Sequence, residues 1–293
     1  MLSEKFIGTG VAVTTPFKNN KKIDHGALKK HIEFLINSGV NYLVILGTTG
    51  ESVTLTEEEK TEVVRTFQET VNGRVPLVLG MGGNNTQAVV DKLQQTNLQQ
   101  LDAILSVAPY YNKPSQAGLY QHFHTIATNS SVPVILYNVP GRTGVNIAPD
   151  TITKLARDSE NIIAVKEASG SFTQAMHIIQ NKPEDFQVIS GEDGITLPLL
   201  SIGVNGVISV VANAFPKEFS TMVNYALKND IQAAKDIHYK MLPIVEKLFA
   251  EGNPSGIKSA LEIKGLIANN LRLPLTPVSK ELQQEIKHLI ENL

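Results

Sequence analysis

The sequence predicts an α/β fold, a (β/α)8 TIM barrel followed by a C-terminal helical extension. Three observations predict it. Short β-branched apolar runs recur along the chain, helical patterns fill the intervals between them, and from Asp230 onward only helical patterns remain.

The runs, in order, are Gly10–Thr14, Tyr42–Leu46, Leu77–Leu79, Ala103–Val107, Val134–Tyr137, Ile162–Val165, Gln187–Ile189 and Val207–Val210. Their apolarity is nearly continuous rather than alternating, as in strands covered on both faces, so a parallel sheet is expected. Asp24 is placed to cap a helix whose Leu28, Ile32, Leu35 and Ile36 share one face, with Gly39 as its terminator. Thr56–Glu59 and Ser171–Gln174 both fit a capping box, in which a hydroxyl and a side chain three residues later satisfy two orphan amides. Residues 1–227 then form the catalytic barrel. Residues 228–293 form the extension, whose helical faces are Ile237, Met241, Ile244, Val245 and Leu248, then Leu282, Ile286, Leu289 and Ile290.

Composition narrows the function. With 293 residues and 42% hydrophobic content the chain can bury a large core. Lys plus Arg number 26 against 28 Asp plus Glu, a net charge of −2, so no global field favours nucleic acid or an anionic membrane. The absence of cysteine excludes disulfides, thiolate catalysis and Cys-based metal sites. Glu4 and Lys5 stand where a signal peptide would carry its apolar core, so a cytoplasmic protein is expected. Ile195–Pro216 holds no charged residue and is long enough to span a bilayer, but Pro198, Gly203, Asn205, Gly206 and Asn213 divide it into a helix, a turn and a strand.

In a barrel, catalytic side chains come from the C-terminal ends of the strands. The polar, chemistry-capable residues cluster there: Gly47–Glu51, Ala108–Asn112, Tyr137, Lys166, Ser190–Gly194, Ile208 and Ser209. Lys166 follows four unbroken apolar residues, and an amine held away from bulk water suits nucleophilic attack on a ketone. The resulting imine is an electron sink for deprotonating the adjacent carbon. The alternative is a solvated strand-end lysine. Tyr137 ends an aliphatic run, so its hydroxyl is expected to reach the mouth as proton donor and acceptor, or to be a core tyrosine with one hydrogen bond. Thr48 and Thr49 read as a proton relay, a carboxylate contact, or simply turn residues beside two glycines. Arg142, after Pro140-Gly141, suits a substrate carboxylate or is simply a surface arginine on a turn, and Tyr110-Tyr111 suits a site or an interface.

Weaker signals remain. Gly80–Asn85 lacks the third glycine of a dinucleotide fingerprint, His122 and His124 fall on different faces of a helix, and Gly191 with Gly194 offers a phosphate cradle.

With Gly47–Glu51, Tyr110-Tyr111, Tyr137–Gly144, Lys166–Ser169 and Gly206–Ser209 in this order, the chain resembles the 4-hydroxy-tetrahydrodipicolinate synthase (dihydrodipicolinate synthase) family of pyruvate-dependent class I aldolase-like barrels, from about Gly8 to Pro277. The resemblance implies a Schiff-base lyase of the diaminopimelate route to lysine that condenses pyruvate with L-aspartate 4-semialdehyde and needs no metal or organic cofactor. It implies Lys166 as the imine-forming residue and Tyr137 as general acid and base. Thr48 and Tyr111 would complete a proton relay, Tyr111 being supplied by a neighbouring subunit of at least a dimer. Thr49 and Ile208 would contact pyruvate, Gly191 would lie against the imine, and Arg142 would hold the carboxylate of the semialdehyde. Lysine-inhibited members carry a histidine and a glutamate where this chain has Lys60 and Ala88, so weak lysine inhibition is expected. Retro-aldol sugar-acid lyases of the same superfamily share the Lys166 and Tyr137 pattern, but the sialate enzyme lacks the arginine. A phosphate-binding barrel enzyme and a non-catalytic binding protein are the readings from other classes.

Overall fold

The computed structural model describes residues 2–293 and contains a closed barrel of eight parallel strands in sequence order. The strands are β1 (Gly8–Ala12), β2 (Tyr42–Ile45), β3 (Leu77–Gly80), β4 (Ala103–Val107), β5 (Val134–Asn138), β6 (Ile162–Glu167), β7 (Gln187–Ser190) and β8 (Gly206–Ser209). All eight expected runs contribute a strand, and the bounds shift for physical reasons. β2 stops at Ile45 because Leu46 turns to φ 57°. Closure of β1 on β8 needs glycine: a Cβ on Gly206 would lie 2.2 Å from the Gly8 carbonyl oxygen. β5, β6 and β7 run on into their polar ends, so Lys166 lies within β6 and not beyond it.

Two apolar layers explain the continuous runs. Inside the barrel pack Tyr42, Val44, Val78, Leu105, Ile135, Tyr137, Ala164, Ile189 and Ile208, with Phe6 edge-on to Tyr42 at 5.4 Å. Outside, Leu43, Ile45, Leu79, Ile104, Leu136, Val165, Val188 and Val207 meet the helices.

Those helices are α1 (His25–Asn37), α2 (Glu57–Val71), α3 (Thr86–Gln95), α4 (Gln116–Asn129), α5 (Pro140–Thr143), α6 (Pro149–Asp158), α7 (Phe172–Asn181), α8 (Thr196–Ser201) and α9 (Pro216–Leu227). Asp24 caps α1 through Ala27 N–H, and Thr56 with Glu59 forms the expected capping box on α2. On α7 only half of the expected box forms. Ser171 accepts from Gln174 N–H, but the Gln174 amide turns inward to Glu167 at 2.7 Å, where a buried carboxylate is the stronger acceptor.

The extension comprises α10 (Ile231–Phe249), α11 (Ser255–Ile263) and α12 (Lys280–Glu291). Met241, Ile244, Val245, Leu248, Ile257, Leu261, Leu282 and Ile286 join the barrel's outer apolar layer. The charge-free stretch Ile195–Pro216 resolves into α8, a turn and β8, and among the described residues no helix is long and apolar enough to cross a membrane.

Candidate active site

Strand register brings the two leading candidates together. Tyr137 and Lys166 are direct partners across β5 and β6, as are Asn138 and Glu167. Successive residues face opposite sides of a strand, so the first pair faces the interior and the second faces the helices. Lys166 is only 5% exposed, and its Nζ stands 4.4 Å from the centre of the Tyr137 ring. An ammonium over a phenol face is attracted by the ring quadrupole, which holds the amine beside the hydroxyl-bearing ring. Gly191, after β7, leaves room for it: a Cβ there would lie 3.1 Å from Lys166 Cε and 2.5 Å from Ala168 Cβ. Ile208 is buried in the same inner layer.

Behind β6 the Glu167 carboxylate is buried, with no ion-pair partner among the described residues. It accepts from Asn138 Nδ2 at 2.9 Å, Gln174 Nε2 at 2.7 Å and Ser169 N–H at 2.7 Å. Asn146 Nδ2 donates to Gln174 Oε1, and Asn138 Nδ2 also reaches Asn146 Oδ1. This set, which sequence reasoning missed, ties β5, β6 and α7 together directly behind the tyrosine and the lysine.

The segment after β2 folds as one 3-10 turn, Thr48–Gly50, between two left-handed residues, Leu46 and Glu51. Thr48 is exposed at the mouth, while Thr49 is buried and its Oγ1 accepts from Asn253 Nδ2 at 3.0 Å. Glu51, which the sequence puts at the strand end without a role, is buried against Lys258 of α11 in an ion pair with neither side chain exposed. Lys258 Nζ also donates to the Asn270 carbonyl at 2.9 Å and stands 4.3 Å from the Phe17 ring centre. Burial pushes this amine down to about 8, against the pull of Glu51.

Beside Tyr137 lies a cavity of about 410 Å³ whose lining includes Thr48, Tyr110, Tyr137, Arg142 and Asn253. Arg142 sits on α5, opened by Pro140, and Nη2 reaches the Asn253 carbonyl at 3.5 Å. Of the eight residues named from the sequence, Thr48, Tyr137 and Arg142 line this cavity. Lys166, Thr49, Ile208 and Gly191 do not line it: Lys166 packs between Gly191 and the Tyr137 ring, Ile208 belongs to the same inner layer as Tyr137, and Thr49 is joined to the cavity wall through Asn253. Tyr111 is not brought to them within one chain; it has φ 73° and is 90% exposed.

The loop after β7 bears on the phosphate-cradle reading. Glu192 and Asp193 lie between the two glycines, and burial raises both carboxyls above their usual range. Asp193 Oδ2 already takes the Val210 and Val211 amides, at 2.9 and 3.2 Å, which a phosphate would need. A bound anion would meet carboxylates there in place of free N–H groups.

The profile of the Dihydrodipicolinate synthetase family matches residues 5–293. The chain belongs to this family. The 4-hydroxy-tetrahydrodipicolinate synthase of Parabacteroides distasonis is 51% identical over 286 residues, covering 98% of this chain and 96% of that one. Among solved structures, dihydrodipicolinate synthase from Aquifex aeolicus superposes with a TM-score of 0.95 at 39% identity, covering 98% of each chain. The synthase from Cyanidioschyzon merolae, solved with lysine bound, gives 0.94 at 36% identity and covers 98% of each chain. As a member of the dihydrodipicolinate synthetase family, the chain shares this barrel with its C-terminal helices over nearly its whole length.

Proposed function

We propose that the chain condenses pyruvate with L-aspartate 4-semialdehyde to 4-hydroxy-tetrahydrodipicolinate, in the cytoplasm, on the route to lysine. The observation that carries the reading is the buried Lys166 amine facing the Tyr137 ring at 4.4 Å inside the barrel. The Lys166 nitrogen adds to the C2 carbonyl of pyruvate and water leaves, giving an imine. A methyl proton passes to the Tyr137 oxygen as its own hydroxyl proton moves on to Thr48, leaving an enamine whose carbon attacks the aldehyde; Tyr137 gives its proton to the new alkoxide and takes one back from Thr48. The amine of the adduct then adds to the imine carbon, closes the ring and expels the lysine.

Thr48, exposed at the mouth, passes protons between Tyr137 and Tyr111 of a second subunit. The 90% exposure of Tyr111 suits a side chain that completes a neighbour's site, so the working unit is at least a dimer. Thr49 and Ile208 hold pyruvate, Gly191 lies against the imine, and Arg142, whose fork lines the outer cavity, takes the semialdehyde carboxylate.

Borohydride reduction in the presence of pyruvate, followed by peptide mass analysis, is expected to fix one pyruvate-derived group on Lys166. Product should form from pyruvate plus aspartate semialdehyde and not from pyruvate plus an N-acetylhexosamine. An unlabelled Lys166 would overturn the assignment.

Lysine is expected to inhibit weakly. Lys60 Nζ lies 2.6 Å from Glu57, and Lys92 shares that carboxylate at 3.0 Å, so two cations surround one anion and the cluster repels an ammonium. Ala88 adds no acceptor side chain. Titration with L-lysine should leave more than half of the activity at about 1 mM; half-inhibition well below that concentration would refute the electrostatic reading.

A further inference from the structure

The corner between α10 and α11 holds a polar side chain that the reaction above does not use. Asn253 is 9% exposed and lines the cavity, and its Nδ2 donates to Thr49 Oγ1 at 3.0 Å across 204 positions of sequence. Its backbone carbonyl oxygen also accepts from Arg142 Nη2 at 3.5 Å. One residue thus touches both side chains assigned to substrate carboxylates.

The direction of the first bond matters. A carboxamide nitrogen only donates, so Thr49 Oγ1 acts as acceptor there and its hydroxyl hydrogen is left to point elsewhere. Turned over, the amide would take that hydrogen on Oδ1 and leave an NH2 group without an acceptor in a buried position. Buried orphan donors are rarer than under-satisfied acceptors. The orientation present leaves Oδ1 as the unpartnered atom, and the Thr49 hydroxyl makes no other hydrogen bond among the described residues.

We propose that Asn253 is a positioning residue that presets the Thr49 hydroxyl as a donor to the carboxylate of the bound 2-oxo acid. The proposal rests on the reading of Thr49 as a pyruvate contact. A carboxylate only accepts, so a hydroxyl whose hydrogen was already given to the protein would meet it lone pair to lone pair. A preset donor needs no reorientation when the ligand arrives.

The near-isosteric change Asn253→Asp reverses the bond, because a carboxylate at 253 takes the Thr49 hydrogen back. KM for pyruvate is expected to rise about tenfold or more, while kcat at saturating pyruvate falls less than about threefold. Thr49→Val should raise KM similarly on its own and add almost nothing on top of Asn253→Asp, since the same donor is lost in both. Asn253→Ala frees the hydroxyl to rotate and should fall between wild type and Asn253→Asp. An unchanged KM for pyruvate in Asn253→Asp, or full additivity with Thr49→Val, overturns the proposal. If Asn253→Asp does not fold, an unchanged KM in Asn253→Ala does so. Borohydride trapping of the wild type separates the two levels: failure to label Lys166 removes the functional reading itself, whereas a labelled enzyme whose variants keep their KM removes only the role of Asn253.

Discussion

Lys166→Ala is expected to lose condensation activity by on the order of 10⁴-fold or more, because it removes the amine that forms the imine and every later step depends on it. Borohydride should then fix no pyruvate on the protein. Tyr137→Phe leaves the amine in place but removes the hydroxyl that carries the proton, so it should cost about 10²- to 10⁴-fold in kcat. Trapping on Lys166 should survive in that variant, since imine formation precedes the proton transfer. Steady-state product formation from the two substrates measures both effects. A Lys166→Ala protein that still turned over at a tenth of the wild-type rate would end the Schiff-base mechanism.

The second large effect is on stability. Lys258→Met would strand the Glu51 carboxylate in a site where neither partner has solvent access. Removing one member of a buried pair typically costs about 3–5 kcal/mol, which for a chain of this size lowers the melting temperature by roughly 10 °C. The double change Glu51→Gln with Lys258→Met leaves no uncompensated charge and should recover more than half of that loss. Thermal unfolding of the three proteins at one pH decides it. A single variant that melts with the wild type would show that water reaches Glu51 and that the pair contributes little.

These residues also mark where sequence reasoning ran out. All eight strands, the parallel sheet and the Thr56 capping box were legible because each is written locally, in short apolar runs or in residues three apart. The placement of Lys166 beside Tyr137, and of Arg142 with Tyr137 on one cavity, was legible because strand ends in a barrel share one rim. Lys258 was not. It lies in Ser255–Ile263 among small and apolar residues and reads as an ordinary helix lysine, yet it is fully buried because Glu51 waits 207 positions earlier. Asn253 and Thr49 are separated by a similar distance, and a contact between the extension and the β2 turn leaves no periodic trace. Gln174 misled in the opposite way, since its spacing from Ser171 satisfies a local rule that a buried carboxylate overrides.

The Glu167 carboxylate, which forms no ion pair among the described residues, shapes how such a barrel could diversify. Its three donors brace β6 from the helix side, the face opposite to the one that Lys166 shares with Tyr137. Mouth loops are then free to exchange side chains without loosening the Lys166 amine. A scaffold anchored from the rear can change its clientele while keeping its chemistry.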